Sequence, residues 1–196
     1  MKRKYRIHPI FSALVPAALS ACDGILFDNR TSCPHCGGSL ARYDVKIKHF
    51  ADLIEGSNTK TVMVMIKRFK CRECHAVIYA HQPFYPNTRI GSPVVDLCVT
   101  LSTRMPYARA ATYLQQMGLN VDRWSVRNYA MKNIREVTTT EQYGILLPAS
   151  IIALASLTSE MGDDSSIGAS DVLSACSYPS IQKNESYIRK TVTDSK

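Results

Sequence analysis

Two short stretches decide the fold of this chain: Cys33-Pro-His-Cys36-Gly37-Gly38 and Lys67-Arg-Phe-Lys-Cys71-Arg-Glu-Cys74. Each holds a C-x2-C pair, and 34 residues separate the two pairs. A tight turn across two intervening residues aims both sulfurs the same way. Two such knuckles supply the four ligands of a closed tetrahedral zinc site. The spacing therefore predicts Cys33, Cys36, Cys71 and Cys74 as metal ligands, with zinc as the cofactor. Gly37 and Gly38 suit a place that needs positive φ and room for backbone near sulfur. His35 and His75 stand next to ligand cysteines, but four thiolates already complete a site, so both are expected to be solvated. Zinc takes thiolates and not cystines, which points to a reducing, cytoplasmic compartment.

Between the knuckles the pattern is that of a long hairpin. Arg42 to His49 alternates, which predicts a half-buried strand with Tyr43, Val45 and Ile47 inward and Arg42, Asp44, Lys46 and Lys48 outward. Glu55-Gly-Ser-Asn-Thr59 is a turn cluster. Lys60 to Lys70 is a second strand with Val62, Val64 and Ile66 on one face, and Ala76 to Ala80 a short third. Arg42, Lys46 and Lys48 on the first strand, with Lys67, Arg68, Lys70 and Arg72 on or beside the second, form the candidate phosphate contacts of a basic ribbon.

Beyond a Pro-punctuated stretch at 81–91, Ser92 is placed to cap a helix with Pro93 at its first position. Its apolar stripe is Val94, Val95, Leu97, Cys98 and Leu101. A second helix runs from Tyr107 to about Met117, with Ala110, Ala111 and Leu114 inward and Gly118 past its end. Asp122 caps a third, Arg123 to about Arg135, with Val126, Tyr129 or Ala130, and Ile134 inward. The Gly-containing turn between the last two matches a helix-turn-helix. Small Ala110 and Ala111 allow close approach, and Val121 and Val126 plug the corner. The outer face of the third helix carries Arg123, Ser125, Arg127, Asn128, Met131 and Lys132. A major groove admits one helix, and Arg and Asn offer paired hydrogen bonds to guanine and adenine edges. Trp124 is either a lid on the corner or a DNA contact, with packing the expectation. The competing reading is an ordinary three-helix unit with a solvated basic face.

Charge and composition set the outer limits. The 196 residues are 45% hydrophobic and 20% charged, ordinary globular values that argue against wholesale disorder. No apolar run approaches the ~20 residues of a membrane span, so no membrane partner is expected. The net charge of +8 is uneven: residues 1–136 hold 20 basic and 9 acidic side chains, the remainder 4 and 7. Any polyanion-binding capacity thus lies in the first two thirds. The fold class expected is α+β: an N-terminal segment 1–29, a zinc ribbon of antiparallel strands at 30–80, a linker 81–91, a three-helix helix-turn-helix domain at 92–136, and a weakly structured tail at 137–196. Residues 10–22 form a short packed segment in this scheme, with Cys22 a buried small hydrophobe. In the tail, Thr138–Thr140 ends the ordered region. Pro148 then opens a short apolar helix at 147–158, which packs on the first helix, on a separate transposase or on a partner chain.

The residues Cys33-Pro-His-Cys36-Gly, Lys67-Arg-Phe-Lys-Cys71-Arg-Glu-Cys74 and Ala110-Ala111 through Val121-Asp-Arg-Trp-Ser-Val126-Arg follow in that order. Over residues 30–135 the chain resembles the zinc-ribbon and helix-turn-helix DNA-binding region of insertion-sequence transposases, and is similar to archaeal proteins that carry this region. The resemblance implies a prokaryotic, transposase-like or transposon-derived factor whose partner is double-stranded DNA. Such a transposase continues into an RNase H-like domain whose acidic residues bind two metal ions. The 60 residues after the third helix are too few for that domain, so strand transfer is not expected and the chain is expected not to be an enzyme. Asp163-Asp164 sits in Gly-Asp-Asp-Ser-Ser, a solvated loop composition with nothing to fix a catalytic pair.

Two further classes compete. The ribbon and helices suit a protein-interaction module. Cys-Pro-His-Cys also resembles the active site of exported thiol-disulfide oxidoreductases, where the first Cys opens a helix. Against the latter, Gly37-Gly38 would cost roughly 2 kcal/mol in that helix, and the second Cys pair would have no task. Export itself finds an echo in Leu19-Ser-Ala-Cys22, a lipoprotein-like box, but Arg6, His8, Pro9 and Pro16 interrupt the preceding apolar stretch. The same four letters recur at Leu173-Ser-Ala-Cys176, where no signal can lie.

Overall fold

The computed structural model describes residues 7–132, 136–159 and 167–177. Helix α1 (Ile10–Ser20) leads into β1 (Leu26–Phe27), then the long strands β2 (Leu40–Glu55) and β3 (Asn58–Cys71) and the short β4 (Val77–Tyr79). Helices α2 (Ser92–Arg104), α3 (Tyr107–Gln116) and α4 (Arg123–Ala130) follow. A hairpin of β5 (Thr139–Gln142) and β6 (Ile145–Pro148) precedes α5 (Ala149–Ser159) and α6 (Ala169–Ala175). The class is α+β. Among the described residues no helix is long and apolar enough to cross a membrane.

Gly56-Ser57 turns β2 into β3, with Glu55 opposite Asn58 and Gly56 at φ +63. The sheet order is β1-β3-β2, with β1 parallel to β3 and β4 antiparallel along its far end. Two register shifts interrupt the β2–β3 ladder, between Arg42 and Asp44 and between His49 and Ala51. They correct the expected inward face of the first strand. Residues directly opposite each other share a face of the sheet. Lys46 and Lys48 stand opposite Ile66 and Val64, whereas Val45 and Ile47 stand opposite Lys67 and Met65. Val64 and Ile66 are buried, but Tyr43, Val45 and Ile47 are 55%, 49% and 61% exposed. The alternation is real. The bulge at Phe50 reverses which set meets the core, and Phe50 and Ala51 are consecutively buried there.

Elsewhere the apolar periodicity and the burial agree. Val62, Val94, Val95, Leu97, Cys98, Leu101, Ala110, Ala111, Leu114, Val126 and Tyr129 are all buried. They belong to one hydrophobic cluster that runs from Ile7 to Cys176 and draws on α1, the hairpin, the 81–91 stretch and every later helix. Helix α2 is its centre, buried nearly all round. The carboxylate of Asp96, 1% exposed, accepts from Tyr85 Oη at 2.6 Å and Ser150 Oγ at 2.8 Å, tying the 81–91 stretch to α5 through α2. The start of α2 differs from expectation by one residue. Gly91 takes the cap position, without a side-chain bond, and Ser92 is already helical. A Cβ on Gly91 would meet the Phe50 ring, and the Gly91 N–H donates to Phe50 O at 2.8 Å.

The corner between α3 and α4 is bound to the turn end of the hairpin. Ile54 N–H donates to Gly118 O at 2.8 Å and Asn120 N–H to Asp52 O at 2.9 Å. Gly118 has φ +83, and a Cβ there would stand 2.6 Å from the Pro16 ring, so glycine is required on two counts. Asp122 caps α4 as expected, its Oδ1 accepting from Ser125 N at 2.6 Å.

After residue 137 the chain holds more structure than expected. Order does not end at Thr138–Thr140, because β5 and β6 pair through Tyr143-Gly144, both at positive φ. That is the backbone of a two-residue hairpin turn, here without the usual Asn-Gly. Tyr143 stacks on His8, ring centroids 4.2 Å apart, and meets Phe11 edge-on. The apolar helix forms as α5 and packs against α1 and α2, and α6 packs on α5. Ile134, Asp163 and Asp164 lie outside the described residues.

Candidate functional site

The two knuckles come together at the open end of the hairpin, because Leu40 at the start of β2 pairs with Cys71 at the end of β3. All four predicted sulfurs, of Cys33, Cys36, Cys71 and Cys74, lie within 4.8 Å of one another and could hold a metal ion. The close contacts run between knuckles: Cys33 Sγ to Cys74 Sγ is 3.6 Å, and Cys36 Sγ to Cys71 Sγ is 3.5 Å. These are spacings of a coordination tetrahedron and not of a disulfide, whose sulfurs stand about 2.05 Å apart.

The knuckles repeat one backbone design. Cys33 N–H donates to Gly38 O at 3.0 Å, and Cys71 N–H donates to Ala76 O at 2.9 Å. The fourth residue after the leading cysteine is left-handed in each, Gly37 at φ +75 and His75 at φ +59. His35 N–H points to Cys33 Sγ at 3.4 Å. Burial opposes ionisation of Cys33, but the N–H groups of His35 and Cys36 and the facing thiols of Cys74 and Cys71 outweigh it. They bring its pKa down to about 7. Cys36, Cys71 and Cys74 shift upward instead, so among the four facing thiols the charge is favoured on Cys33. His35 and His75 are exposed and outside the four-sulfur cluster.

Glu73 is a member of the site that the spacing did not single out. It accepts from the Cys71 thiol at 3.3 Å and from Ser39 Oγ at 3.1 Å. Its carboxylate occupies the space a Cβ on Gly38 would need, so Gly38 makes room for Glu73 and not, as expected, for sulfur. The remaining cysteines stand apart from the cluster. Cys22, Cys98 and Cys176 are buried in the main core, and burial pushes the Cys22 and Cys98 thiols up to about 12.

Along the hairpin the seven predicted basic residues divide in two. Arg42, Lys46, Lys70 and Arg72 are exposed. Lys48 is turned inward: its ammonium lies 3.9 Å from the Phe84 ring centroid and donates to Gln82 Oε1 at 3.0 Å. Burial, with Lys46 nearby, lowers its pKa to about 8. Lys67 pairs with Asp28 at 3.6 Å, and Arg68 grips Asp44 through both carboxylate oxygens.

On α4, Val126 and Tyr129 face the core while Arg123, Arg127 and Asn128 are exposed and Ser125 is partly so. Lys132 is half-buried and donates to the Asn87 carbonyl. The expectation that Trp124 packs is corrected. It is 73% exposed, on the side of the helix opposite Val126 and Tyr129, with the Arg127 guanidinium 5.5 Å from its ring. Met131 is 65% exposed. Trp124, Ser125, Arg127, Asn128, Met131 and Lys132 together line an open recess of about 580 Å³. Comparison with family models, with curated proteins and with solved structures gives no match.

Proposed function

We propose that the chain is a non-catalytic, zinc-dependent DNA-binding protein of transposase-like character, working in the cytoplasm. In this reading Cys33, Cys36, Cys71 and Cys74 hold one Zn²⁺ and close the open end of a zinc ribbon. A tetrahedron with Zn–S of about 2.3 Å spaces its sulfurs about 3.8 Å apart, close to the contacts between the knuckles. Helices α3 and α4 act as a helix-turn-helix, with α4 entering the major groove.

The observation that carries the DNA reading is the solvent face of α4. Arg123, Arg127 and Asn128 stand together there on a helix capped by Asp122 and anchored by Val126 and Tyr129. Arg127 and Asn128 are the residues for base edges. Arg42, Lys46, Lys70 and Arg72 are the candidates for phosphate, since Lys48, Lys67 and Arg68 are engaged within the chain. One observation favours a second reading, a ribbon that binds protein. Leu26, Val45 and Ile47 are 40%, 49% and 61% exposed on the outer face of the sheet.

Fluorescence anisotropy on selected and scrambled duplexes over a range of salt separates the two. Arg127→Ala should cost about 1–3 kcal/mol on the selected site and little on scrambled sequence. Lys46→Ala or Lys70→Ala should weaken every duplex alike and lower the log–log salt slope by about one. Zinc-loaded protein that binds no duplex at low salt would leave the protein-binding reading in place of this one.

A further inference from the structure

Half of the outward row on α4 is apolar. Trp124, Arg127, Asn128 and Met131 follow at i, i+3, i+4 and i+7, the spacing of one helix face. The seven rises of about 1.5 Å from Trp124 to Met131 make a row about 10 Å long, or three base-pair steps of about 3.4 Å. The middle of the row carries the donors and acceptors that suit purine edges. Its ends present mostly apolar surface, and both are left in water, at 73% and 65% exposure. A protein partner covering this row would have to bury the Arg127 guanidinium and the Asn128 amide and supply acceptors for both. A base-pair edge supplies them at the right spacing. The apolar group that a base offers in the major groove is the C5-methyl of thymine, a group 5-methylcytosine shares.

We infer that Trp124 is a specificity-determining residue that reads the C5-methyl group of a pyrimidine beside the base pairs met by Arg127 and Asn128. The inference rests on the DNA-binding reading. Trp124 is favoured over Met131 because the N-terminal residues of such a helix make the base contacts. Trp124 lies in the first turn of α4, whereas Met131 is its C-cap. The Arg127 guanidinium at 5.5 Å from the indole ring steadies the indole against the groove.

The test begins with a duplex site selected by the full chain loaded with zinc. Each thymine is then replaced in turn by deoxyuridine, which removes the methyl and leaves the hydrogen-bonding edges intact. Binding is read by anisotropy. One replacement should weaken wild-type binding about four-fold, the effect of one buried methyl-sized group. At that same position, 5-methylcytosine·guanine should bind about four-fold more tightly than cytosine·guanine. Trp124→Ala should bind the thymine and deoxyuridine duplexes equally, and Trp124→Phe should retain part of the preference. Circular dichroism and zinc content check that both variants are folded. Equal wild-type affinity for every deoxyuridine duplex would overturn the inference and leave the DNA reading intact. So would a preference that survives Trp124→Ala. Failure of the zinc-loaded chain to bind any duplex would overturn both.

Discussion

The two ends of the β2–β3 hairpin are built from the same two strands and differ in what surrounds them. At the turn end, Phe50, Ala51, Leu53 and Val62 sit in the main core, and the Gly118–Asn120 corner is hydrogen-bonded to the strand. At the open end the separate apolar cluster has three buried members, Cys33, Cys71 and Ile78. Leu40 and Ile54 are fourteen residues apart along one strand, about 45 Å when extended. Apolar burial is sparser at the open end, where the main core reaches only Phe69 and, in part, Leu40 and Tyr79, and four convergent sulfurs are the further agent available there. The difference teaches that one long strand can pass from an end covered by apolar area to an end gathered round four sulfurs that could hold a metal ion.

The largest effect should come from breaking the ligation. Structural zinc contributes on the order of 10 kcal/mol, more than burying Cys33, Cys71 and Ile78 can. Chelation, or Ser in place of any one of the four cysteines, should release the metal and raise hydrogen exchange over residues 33–41 and 70–79. Residues 51–54 and 62–64 should stay protected, because their core is elsewhere. Loss of protection at both ends together would mean the two ends form one cooperative unit.

The converse change acts on the other end. Leu53 is fully buried, and Leu53→Ala should cost about 2–5 kcal/mol by denaturant midpoint, with the zinc content of the folded protein unchanged. A smaller effect is expected at the helix corner. Asp122→Ala removes the cap on α4 and should cost about 1 kcal/mol. The hydrogen bonds from the Ser125 backbone and side chain hold the Asp122 carboxyl below its ordinary pKa, against a weaker effect of burial. A lowered folded value means that this contribution is complete above the ordinary aspartate range and is lost as pH falls through the folded pKa. Wild type and Asp122→Ala should therefore converge in stability in acid, as pH-dependent melts would show. Smallest of all, Cys98→Ser and Cys176→Ser should leave the zinc stoichiometry untouched, since both thiols are buried away from the cluster.

What the sequence disclosed divides along the same line. The four-sulfur cluster was legible because two C-x2-C pairs are local signals, whatever lies between them. The helix corner was legible too, through Gly118 and the Asp122 cap. The inward face of β2 was not. Period-two alternation identifies two faces but not which one is covered, and the bulge at Phe50 exchanges them. The Tyr143-Gly144 turn lacked the Asn-Gly signature, which hid β5 and β6. Glu73 was hidden because its role depends on the second knuckle folding over Gly38. Trp124 could have been placed, since its spacing from Arg127, Asn128 and Met131 already put it on their face and not on that of Val126 and Tyr129.

The central claim is that metal ligation, not burial or a disulfide, holds the open end of the hairpin. Zinc-edge X-ray absorption on the purified full chain, with metal stoichiometry by native mass spectrometry, tests it most directly. The expected result is one zinc per chain surrounded by four sulfurs at about 2.3 Å. Metal-free protein that is fully folded and carries a Cys33–Cys36 disulfide would contradict it.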